Sequence, residues 1–76
     1  KDPKSRLQEL LQAQQLPLPE YEIVEVVGQE HQQKFIVECK TLLLDHRIRA
    51  EGDSRRKAEQ EAAALTLEEL KRGNPT

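Results

Sequence analysis

Residues 46–72 read HRIRAEGDSRRKAEQEAAALTLEELKR, and the pattern of the sequence changes in the middle of this stretch. Apolar and charged residues alternate over residues 47–51, a period of two that predicts a short strand. Gly52-Asp53 interrupts the alternation, and Ser54 is a good N-cap for a helix. The remainder contains neither Gly nor Pro and is rich in Ala and Glu, which predicts a long helix over residues 54–72.

Two further strands are predicted upstream of this stretch. Tyr21–Val27 consists mostly of apolar and β-branched residues, and a second alternation with a period of two follows in the chain. The connecting turns, Gly28–Gln32 and Asp45-His46, are too short for crossover connections. We therefore expect strands over residues 21–27, 33–42 and 47–51 that form an antiparallel meander.

A first helix is predicted at the start of the chain. Asp2 is a suitable N-cap, and Pro3 suits the first helical position. The leucines that follow have i, i+3 and i+4 spacing, which predicts a helix within residues 1–15 that Leu16-Pro17-Leu18-Pro19 stops. The second helix is ended by Gly73-Asn74-Pro75. Its broad apolar side carries Ala58, Ala62, Ala63, Leu67 and Leu70.

The resulting order of elements is α-β-β-β-α. Three antiparallel strands cannot bury both faces by themselves, and each helix has one apolar side. The economical arrangement therefore places both helices on one face of the sheet and leaves the other face solvated. We expect an α+β fold in which residues 1–76 form a single domain, in keeping with a chain of 76 residues.

The composition excludes several classes of function. Twelve Lys and Arg against fourteen Asp and Glu give a net charge of −2, so only the placement of charge could indicate nucleic-acid binding. Cys39 is the only cysteine, which excludes an internal disulfide framework and fits a cytoplasmic protein. The longest apolar run, Ala62–Leu65, is far shorter than a membrane span of about 20 residues, so no membrane partner is expected. Because the chain starts at Lys1 rather than Met, we expect it to come from a longer protein.

Catalytic and metal-binding chemistry is not expected in this chain. The Asp and Glu residues are scattered, with no cluster suited to holding two metal ions for phosphodiester hydrolysis. Cys39, His31 and His46 lack the paired spacing of a zinc site, and no Gly-rich phosphate loop occurs. With only Tyr21 and Phe35 as aromatic residues, the chain also has no stacking platform for single-stranded bases.

Three groups of polar residues remain as candidate contact surfaces. The first is a stripe on the first helix, opposite the leucines, with i, i+3, i+4 and i+7 spacing: Ser5, Gln8, Glu9 and Gln12. Hydroxyl, amide and carboxylate groups suit the wide minor groove of A-form RNA, which displays ribose 2′-hydroxyls that both donate and accept. The alternative is the solvated side that every amphipathic helix has.

The second group is the basic start of the second helix, Ser54-Arg55-Arg56-Lys57. Three cations there face the positive end of the helix dipole, which costs about 0.3–1 kcal/mol each, whereas they form a phosphate site together with the free N–H groups. The alternative is an ordinary run of solvated charges. The third group is the turn with Gly28 and His31, and a lone histidine in a loop is usually only solvated. The turn is a candidate contact surface only in combination with the other two groups.

In this order the residues resemble the double-stranded RNA-binding domain family over essentially the whole chain. The resemblance rests on motifs at the right spacing, namely Pro19-x-Tyr21, Gly28-x-x-His31, Phe35, Gly52-x-Ser54-Arg55-Arg56-x-Ala58 and Ala62-Ala63. Three longer segments are similar to the carboxy-terminal domain of proteobacterial ribonuclease III: Lys1-Asp2-Pro3-Lys4-Ser5-x-Leu7-Gln8-Glu9, Leu16-Pro17-Leu18-Pro19 and Ser54-Arg55-Arg56-Lys57-Ala58-Glu59-Gln60.

The resemblance implies shape-selective binding of double-stranded RNA, largely independent of base sequence. One minor groove would be contacted by Ser5, Gln8, Glu9 and Gln12, and the next by Gly28 and His31. Phosphates of the intervening major groove would be contacted by Ser54, Arg55, Arg56 and Lys57. Two departures are Glu59, where many members carry Lys, and Gln29, where many carry Pro. They imply one phosphate contact fewer and a more mobile turn.

The resemblance implies that a separate nuclease domain of ribonuclease III cleaves double-stranded RNA in rRNA and mRNA processing. That domain dimerises and binds magnesium, and its signature, Glu-Arg-x-Glu-Phe-x-Gly-Asp, does not occur here. This chain is thus expected to bind substrate without cutting it, to need no cofactor and to be a monomer in isolation. The alternative is a domain of the same fold that mediates protein interaction or dimerisation and binds RNA poorly. The basic start of the second helix argues against it.

Overall fold

A computed structural model describes residues 1–73. The elements are α1 (Pro3–Ala13), β1 (Glu20–Val27), β2 (Lys34–Lys40), β3 (Ile48–Gly52) and α2 (Arg55–Arg72). The strands form one antiparallel sheet in the order β1-β2-β3, and residues of both helices join its inner face in one hydrophobic core. The predicted α+β fold is confirmed.

The start of α1 has the predicted cap. The Asp2 carboxylate accepts a hydrogen bond from the Ser5 N–H at 3.1 Å, which makes Asp2 the N-cap, and Pro3 lies in the first turn. The helix starts at Pro3, as the predicted cap requires, so Lys1 and Asp2 of the segment 1–15 lie outside it.

The end of α1 differs from the prediction, because the helix stops at Ala13. Gln15 adopts a left-handed backbone with φ of 58°. Its N–H donates to the Gln12 carbonyl at 3.0 Å, and the Leu16 N–H donates to the Leu11 carbonyl at 2.9 Å. This is a Schellman motif, which usually has Gly at the left-handed position. Since no Gly marks it here, the sequence pattern extends the helix two residues too far.

The sheet has a regular register apart from one bulge in β1. Ile23 lies opposite Val37 and Glu25 lies opposite Ile36, so Val24 is an extra residue in β1. Val24 continues an apolar, β-branched run, and the sequence therefore contains no sign of the irregularity.

The strand limits differ from the predicted limits by one or two residues. β1 starts one residue earlier, and β3 lies one residue later because Gly52 still pairs with Phe35. β2 is shorter than the predicted range of residues 33–42. It stops before Thr41, whose hydroxyl accepts a hydrogen bond from the Leu43 N–H at 3.1 Å and so begins the connection to β3.

The core lies between the helices and the inner face of the sheet. Its buried apolar residues are Leu7, Leu11, Val37, Cys39, Ala50, Ala58, Ala62 and Ala63. Cys39 is 1% exposed, which confirms its predicted place among the small buried hydrophobes. The apolar pattern does not predict that Thr66 is fully buried, and its hydroxyl is satisfied there by donating to the Ala62 carbonyl at 2.7 Å.

Both ends of α2 are capped. The Ser54 hydroxyl accepts a hydrogen bond from the Lys57 N–H at 3.1 Å, so the predicted N-cap is confirmed and the helix proper starts at the next residue. At the other end, the Gly73 N–H donates to the Glu69 carbonyl at 2.9 Å. The rest of the predicted terminator, Asn74-Pro75, lies outside the described residues.

The outer face of the sheet carries a network of charges. Glu38 pairs with Arg47 and Arg49, and Arg47 also binds Glu22 at 2.9 Å. Such exposed pairs contribute about 0–1 kcal/mol each, so they keep this face hydrated more than they stabilise it. Over residues 1–73, neither helix is long and apolar enough to cross a membrane.

Candidate nucleic-acid interface

The polar stripe lies along the solvent side of α1 and consists of Ser5, Gln8, Glu9 and Gln12. On the opposite side, the fully buried Leu7 and Leu11 hold the helix against the core. All members of the stripe are exposed except Ser5, which is half-buried. The Glu9 carboxylate forms an ion pair with the ammonium of Lys1. The stripe therefore presents amide and carboxylate groups to solvent from a helix whose rotation is fixed by its leucines.

The basic turn, residues 54–57, forms the start of α2. Arg55, Arg56 and Lys57 are exposed, and the first turn of the helix contains no acidic residue. The Ser54 hydroxyl is occupied as the helix cap, so this residue shapes the turn. Three exposed cations beside unpaired N–H groups at a helix start favour an anion such as phosphate.

The β1–β2 turn, residues 28–33, contains two residues with a left-handed backbone. Gly28 has φ of 91° and His31 has φ of 73°, and the Gln32 N–H donates to the Gln29 carbonyl at 2.8 Å. A Cβ atom at position 28 would lie 2.3 Å from the Gln32 carbonyl oxygen, so this turn requires Gly there. The turn presents the exposed imidazole of His31.

Side-chain contacts connect the basic turn to its neighbours on both sides. Lys4 of α1 and Arg55 both bind the Glu59 carboxylate, at 2.6 and 2.9 Å. Beside the β1–β2 turn, Lys34 binds Asp53 at 2.5 Å, directly before the basic turn. The basic turn thus lies between the start of α1 and the base of the β1–β2 turn. Across residues 1–73, no hydrogen bond or ion pair joins the polar stripe directly to the β1–β2 turn.

Two carboxylates border the cations of the basic turn. Partial burial raises the pKa of the Glu59 carboxyl, but hydrogen bonds from Lys4 and Arg55 outweigh that effect and keep the pKa below its usual value. A hydrogen bond from Lys34 likewise lowers the pKa of Asp53. Both groups are therefore ionised at neutral pH and offset part of the surrounding positive charge.

The side-chain contacts that join α1 to α2 were not predicted from the sequence. The Gln60 side chain accepts a hydrogen bond from the Lys4 N–H at 3.1 Å and donates one to the Asp2 carboxylate. The i, i+4 spacing of Arg55 and Glu59 is a signal that the sequence does contain. The contact between Lys4 and Glu59 joins residues 55 positions apart, and only the fold brings them together.

No metal site is found in the part of the chain that the structure describes, where no three His, Cys, Asp or Glu side chains are grouped closely enough to hold an ion. Burial raises the pKa of the Cys39 thiol, and a buried, protonated thiol is a poor nucleophile and a poor metal ligand.

The fold and its exposed surfaces define a small α+β nucleic-acid-binding domain. The family described as the double-stranded RNA binding motif matches residues 3–70, and the chain belongs to this family. It is a double-stranded RNA-binding domain.

The chain is also similar to bacterial proteins named Ribonuclease 3. It is 54% identical over 67 residues to that of Colwellia psychrerythraea, a match that covers 88% of this chain and 25% of the relative. It is 56% identical over 70 residues to that of Idiomarina loihiensis, covering 92% of this chain and 31% of the relative. The chain therefore spans about a quarter to a third of the length of these relatives.

Solved structures share the same architecture. A structure of Arabidopsis HYL1 superposes with a TM-score of 0.74 at 42% identity, covering 91% of this chain and 96% of the other. The first double-stranded RNA-binding domain of HYL1 superposes with a TM-score of 0.73 at 38% identity, covering 93% of this chain and 99% of the other.

Proposed function

We propose that this chain is the substrate-binding domain of a bacterial ribonuclease III and that it recognises its RNA duplex by shape, largely independently of base sequence. Similarity to Ribonuclease 3 proteins over most of the chain supports this assignment. Cleavage of duplex RNA in rRNA and mRNA processing, the magnesium ions, the homodimer and the cytoplasmic location belong to the whole protein in this proposal. The domain itself holds RNA as a monomer, without a cofactor, and does not cut it.

Three contact regions are part of this proposal, and the exposure of their polar residues supports it. The polar stripe enters one minor groove, where its amide and carboxylate groups match ribose 2′-hydroxyls. Gly28 and His31 of the β1–β2 turn enter the next minor groove. The basic turn contacts the phosphates between them, with Arg55 and Arg56 as its principal cations and Lys57 beside them.

One observation carries the proposal: three exposed cations stand at a helix start where the dipole makes them unfavourable, between the start of α1 and the β1–β2 turn. A chain selected for stability alone would carry Asp or Glu at these positions. Phosphates of the duplex compensate for the unfavourable placement, because a phosphate can accept hydrogen bonds both from a cationic side chain and from the free N–H groups at the helix start.

The choice of polymer tests this function. We expect the chain to bind a duplex RNA of about 20 base pairs more tightly than the same sequence as duplex DNA or as single-stranded RNA, because only the A-form duplex offers a wide minor groove lined with 2′-hydroxyls. Fluorescence anisotropy with the three polymers at one salt concentration measures the preference. Equal affinity for duplex RNA and duplex DNA would mean that charge alone drives binding.

A pair of matched variants assigns the preference to the polar stripe. Gln8→Ala removes an amide from the stripe, whereas Gln14→Ala removes the same group from the exposed C-cap position of α1. The first change should weaken binding of duplex RNA about two- to tenfold, the value of one or two hydrogen bonds, and the second should leave it unchanged. Self-association without binding to any nucleic acid would instead support the protein-interaction alternative.

A further inference from the structure

Glu59 is a partly buried carboxylate beside the basic turn that binds cations of both helices. Its side chain is only 13% exposed, and its two carboxylate oxygens are divided between two helices. One oxygen accepts a hydrogen bond from Lys4 of α1 at 2.6 Å, and the other accepts one from Arg55 at 2.9 Å. The carboxylate is thus anchored by α1 while it holds an arginine of α2.

The way in which Arg55 is held leaves it able to bind a second anion. Arg55 uses its Nε–H for the bond to Glu59, and within residues 1–73 its terminal nitrogens, Nη1 and Nη2, make no hydrogen bond. The Arg55 side chain remains 60% exposed. A guanidinium has five N–H donors in a rigid plane, so fixing the Nε edge orients the terminal donors.

We propose that Glu59 is a positioning residue for duplex binding. Its carboxylate, anchored by Lys4 of α1, holds the Arg55 guanidinium so that the terminal nitrogens of Arg55 can bind a phosphate. The inference rests on the proposed function, since it requires that Arg55 meets a phosphate. It assigns a binding role to an acidic residue whose own charge repels RNA.

Charge and ordering have opposite consequences at this position. Lys4, Glu59 and Arg55 together carry a net charge of +1, and removal of the carboxylate charge would raise it to +2. If only charge mattered, a neutral residue at position 59 would tighten RNA binding. If the carboxylate orders Arg55, the same change weakens binding, because the free side chain must then be immobilised by the RNA itself, a difference of about two- to tenfold in affinity.

The experiment compares two substitutions that change charge equally. Glu59→Gln removes the carboxylate that holds Arg55, and Glu61→Gln removes an exposed carboxylate on α2 that makes no ion pair in residues 1–73. We expect Glu61→Gln to bind a 20-base-pair RNA duplex as tightly as the unaltered chain or slightly more tightly. We expect Glu59→Gln to bind it about two- to tenfold more weakly, against the direction of its charge change.

Two further variants separate positioning from a general loss of structure. Glu59→Asp keeps the charge but shortens the side chain, and it should also weaken binding. In an Arg55→Ala background, Glu59→Gln should change affinity less than about twofold, because the group that it positions is absent. Thermal melting of each variant verifies that it is folded at the temperature of the titration.

The outcomes are distinct. Unchanged or tighter binding by Glu59→Gln overturns the inference, as does an equal loss with and without Arg55, or an Arg55→Ala variant that binds like the unaltered chain. Failure of the unaltered chain to prefer duplex RNA would overturn the proposed function itself. Weaker binding by Glu59→Gln and Glu59→Asp that depends on Arg55 supports the inference.

Discussion

At the scale of single residues, Gly52 is a position where the fold leaves no room for a side chain. A Cβ atom there would lie 2.5 Å from the Ala58 backbone nitrogen and 2.8 Å from the Lys57 carbonyl carbon. These are backbone atoms of α2, which cannot move without displacing the start of the helix. The basic turn is therefore placed against the end of β3 by the absence of a side chain.

We predict that Gly52→Ala lowers the free energy of unfolding by about 1–3 kcal/mol, the usual cost of overpacking. Urea denaturation measures the change. Gly73→Ala is the control, since its added Cβ lies 3.3 Å from the Glu69 carbonyl oxygen, at the exposed end of α2, and should alter stability by no more than about 0.5 kcal/mol. Equal stability of the two variants would contradict this account of the junction.

The lowered pKa of Asp2 leads to a second prediction at the residue scale, which concerns the pH dependence of stability. Hydrogen bonds from Ser5 and Gln60 lower its pKa from the ordinary 3.8 to about 2. Because the pKa is depressed in the folded state, the stability contributed by the ionised carboxylate is present above about pH 4 and is lost as the pH falls through 2. The lowered pKa values of Glu59 and Asp53 act in the same direction.

The melting temperature should therefore fall between pH 5 and pH 2, and Asp2→Asn should reduce the extent of that fall. Asparagine still caps a helix, so the substitution removes charge while retaining an N-cap. At pH 7 the variant should melt below the unaltered chain, and at pH 2 the two melting temperatures should converge. A difference that is the same at both pH values would show that the charge of Asp2 does not matter.

At the scale of elements, the start of α2 combines a cap that stabilises the helix with cations that do not. Replacement of both Arg55 and Arg56 by Ala removes cations that are unfavourable by about 0.3–1 kcal/mol each, but it also removes the pairing of Arg55 with Glu59, worth about 0.3–0.5 kcal/mol, so stability should change little. Binding of duplex RNA should weaken. The slope of log affinity against log salt should become shallower by about 2, because two phosphate contacts are lost.

The outer face of the sheet supplies the control for this change. The double variant Arg47→Ala, Arg49→Ala also removes two positive charges. These arginines pair with Glu22 and Glu38 on the face of the sheet opposite the helices. That variant should keep the salt slope of the unaltered chain. Identical slopes for the two double variants would indicate that total charge, and not the basic turn, determines binding.

At the scale of the whole molecule, the three contact regions require a duplex of sufficient length. The longest dimension of the domain is 44 Å, so its contact regions can be spread along one side of a duplex. Two minor grooves with the major groove between them occupy about 16 base pairs.

Affinity per site should consequently fall sharply for RNA duplexes of about 8–10 base pairs, where one minor-groove contact has no partner. His31→Ala should weaken binding to a duplex of about 20 base pairs and have much less effect on the short one. His46→Ala, which removes the other histidine from the β2–β3 connection, is the matched control and should have no effect on either duplex. An equal effect of His31→Ala on both lengths would leave the basic turn as an isolated phosphate patch.

Local features of the sequence were sufficient to predict the elements but not all of their limits. The caps at Asp2 and Ser54 are contacts between residues that are close in the sequence, and they are confirmed. The alternation in the strands is also a local pattern, and the strands it predicts are present. The left-handed Gln15 was not predictable, because that position lacks the Gly that usually marks such a backbone. The bulge at Val24 was not predictable either, because Val24 continues an apolar, β-branched run. The hydroxyl of the buried Thr66 is satisfied by a hydrogen bond to the preceding turn of its own helix.

The sequence by itself determined the α-β-β-β-α order, the apolar side of each helix and the membership of the chain in its RNA-binding family, because periodicity, caps and motif spacing are properties of the chain alone. Its assignment of ten contact residues stays a prediction. Only the tertiary structure decided how these residues are held. Lys4 reaches Glu59 across 55 positions, and Lys34 reaches Asp53 across 19, because helix packing and strand pairing bring distant charges within hydrogen-bond distance. No local pattern encodes which charges meet, since the approach of α1 to α2 is set by the leucines and alanines packed between them.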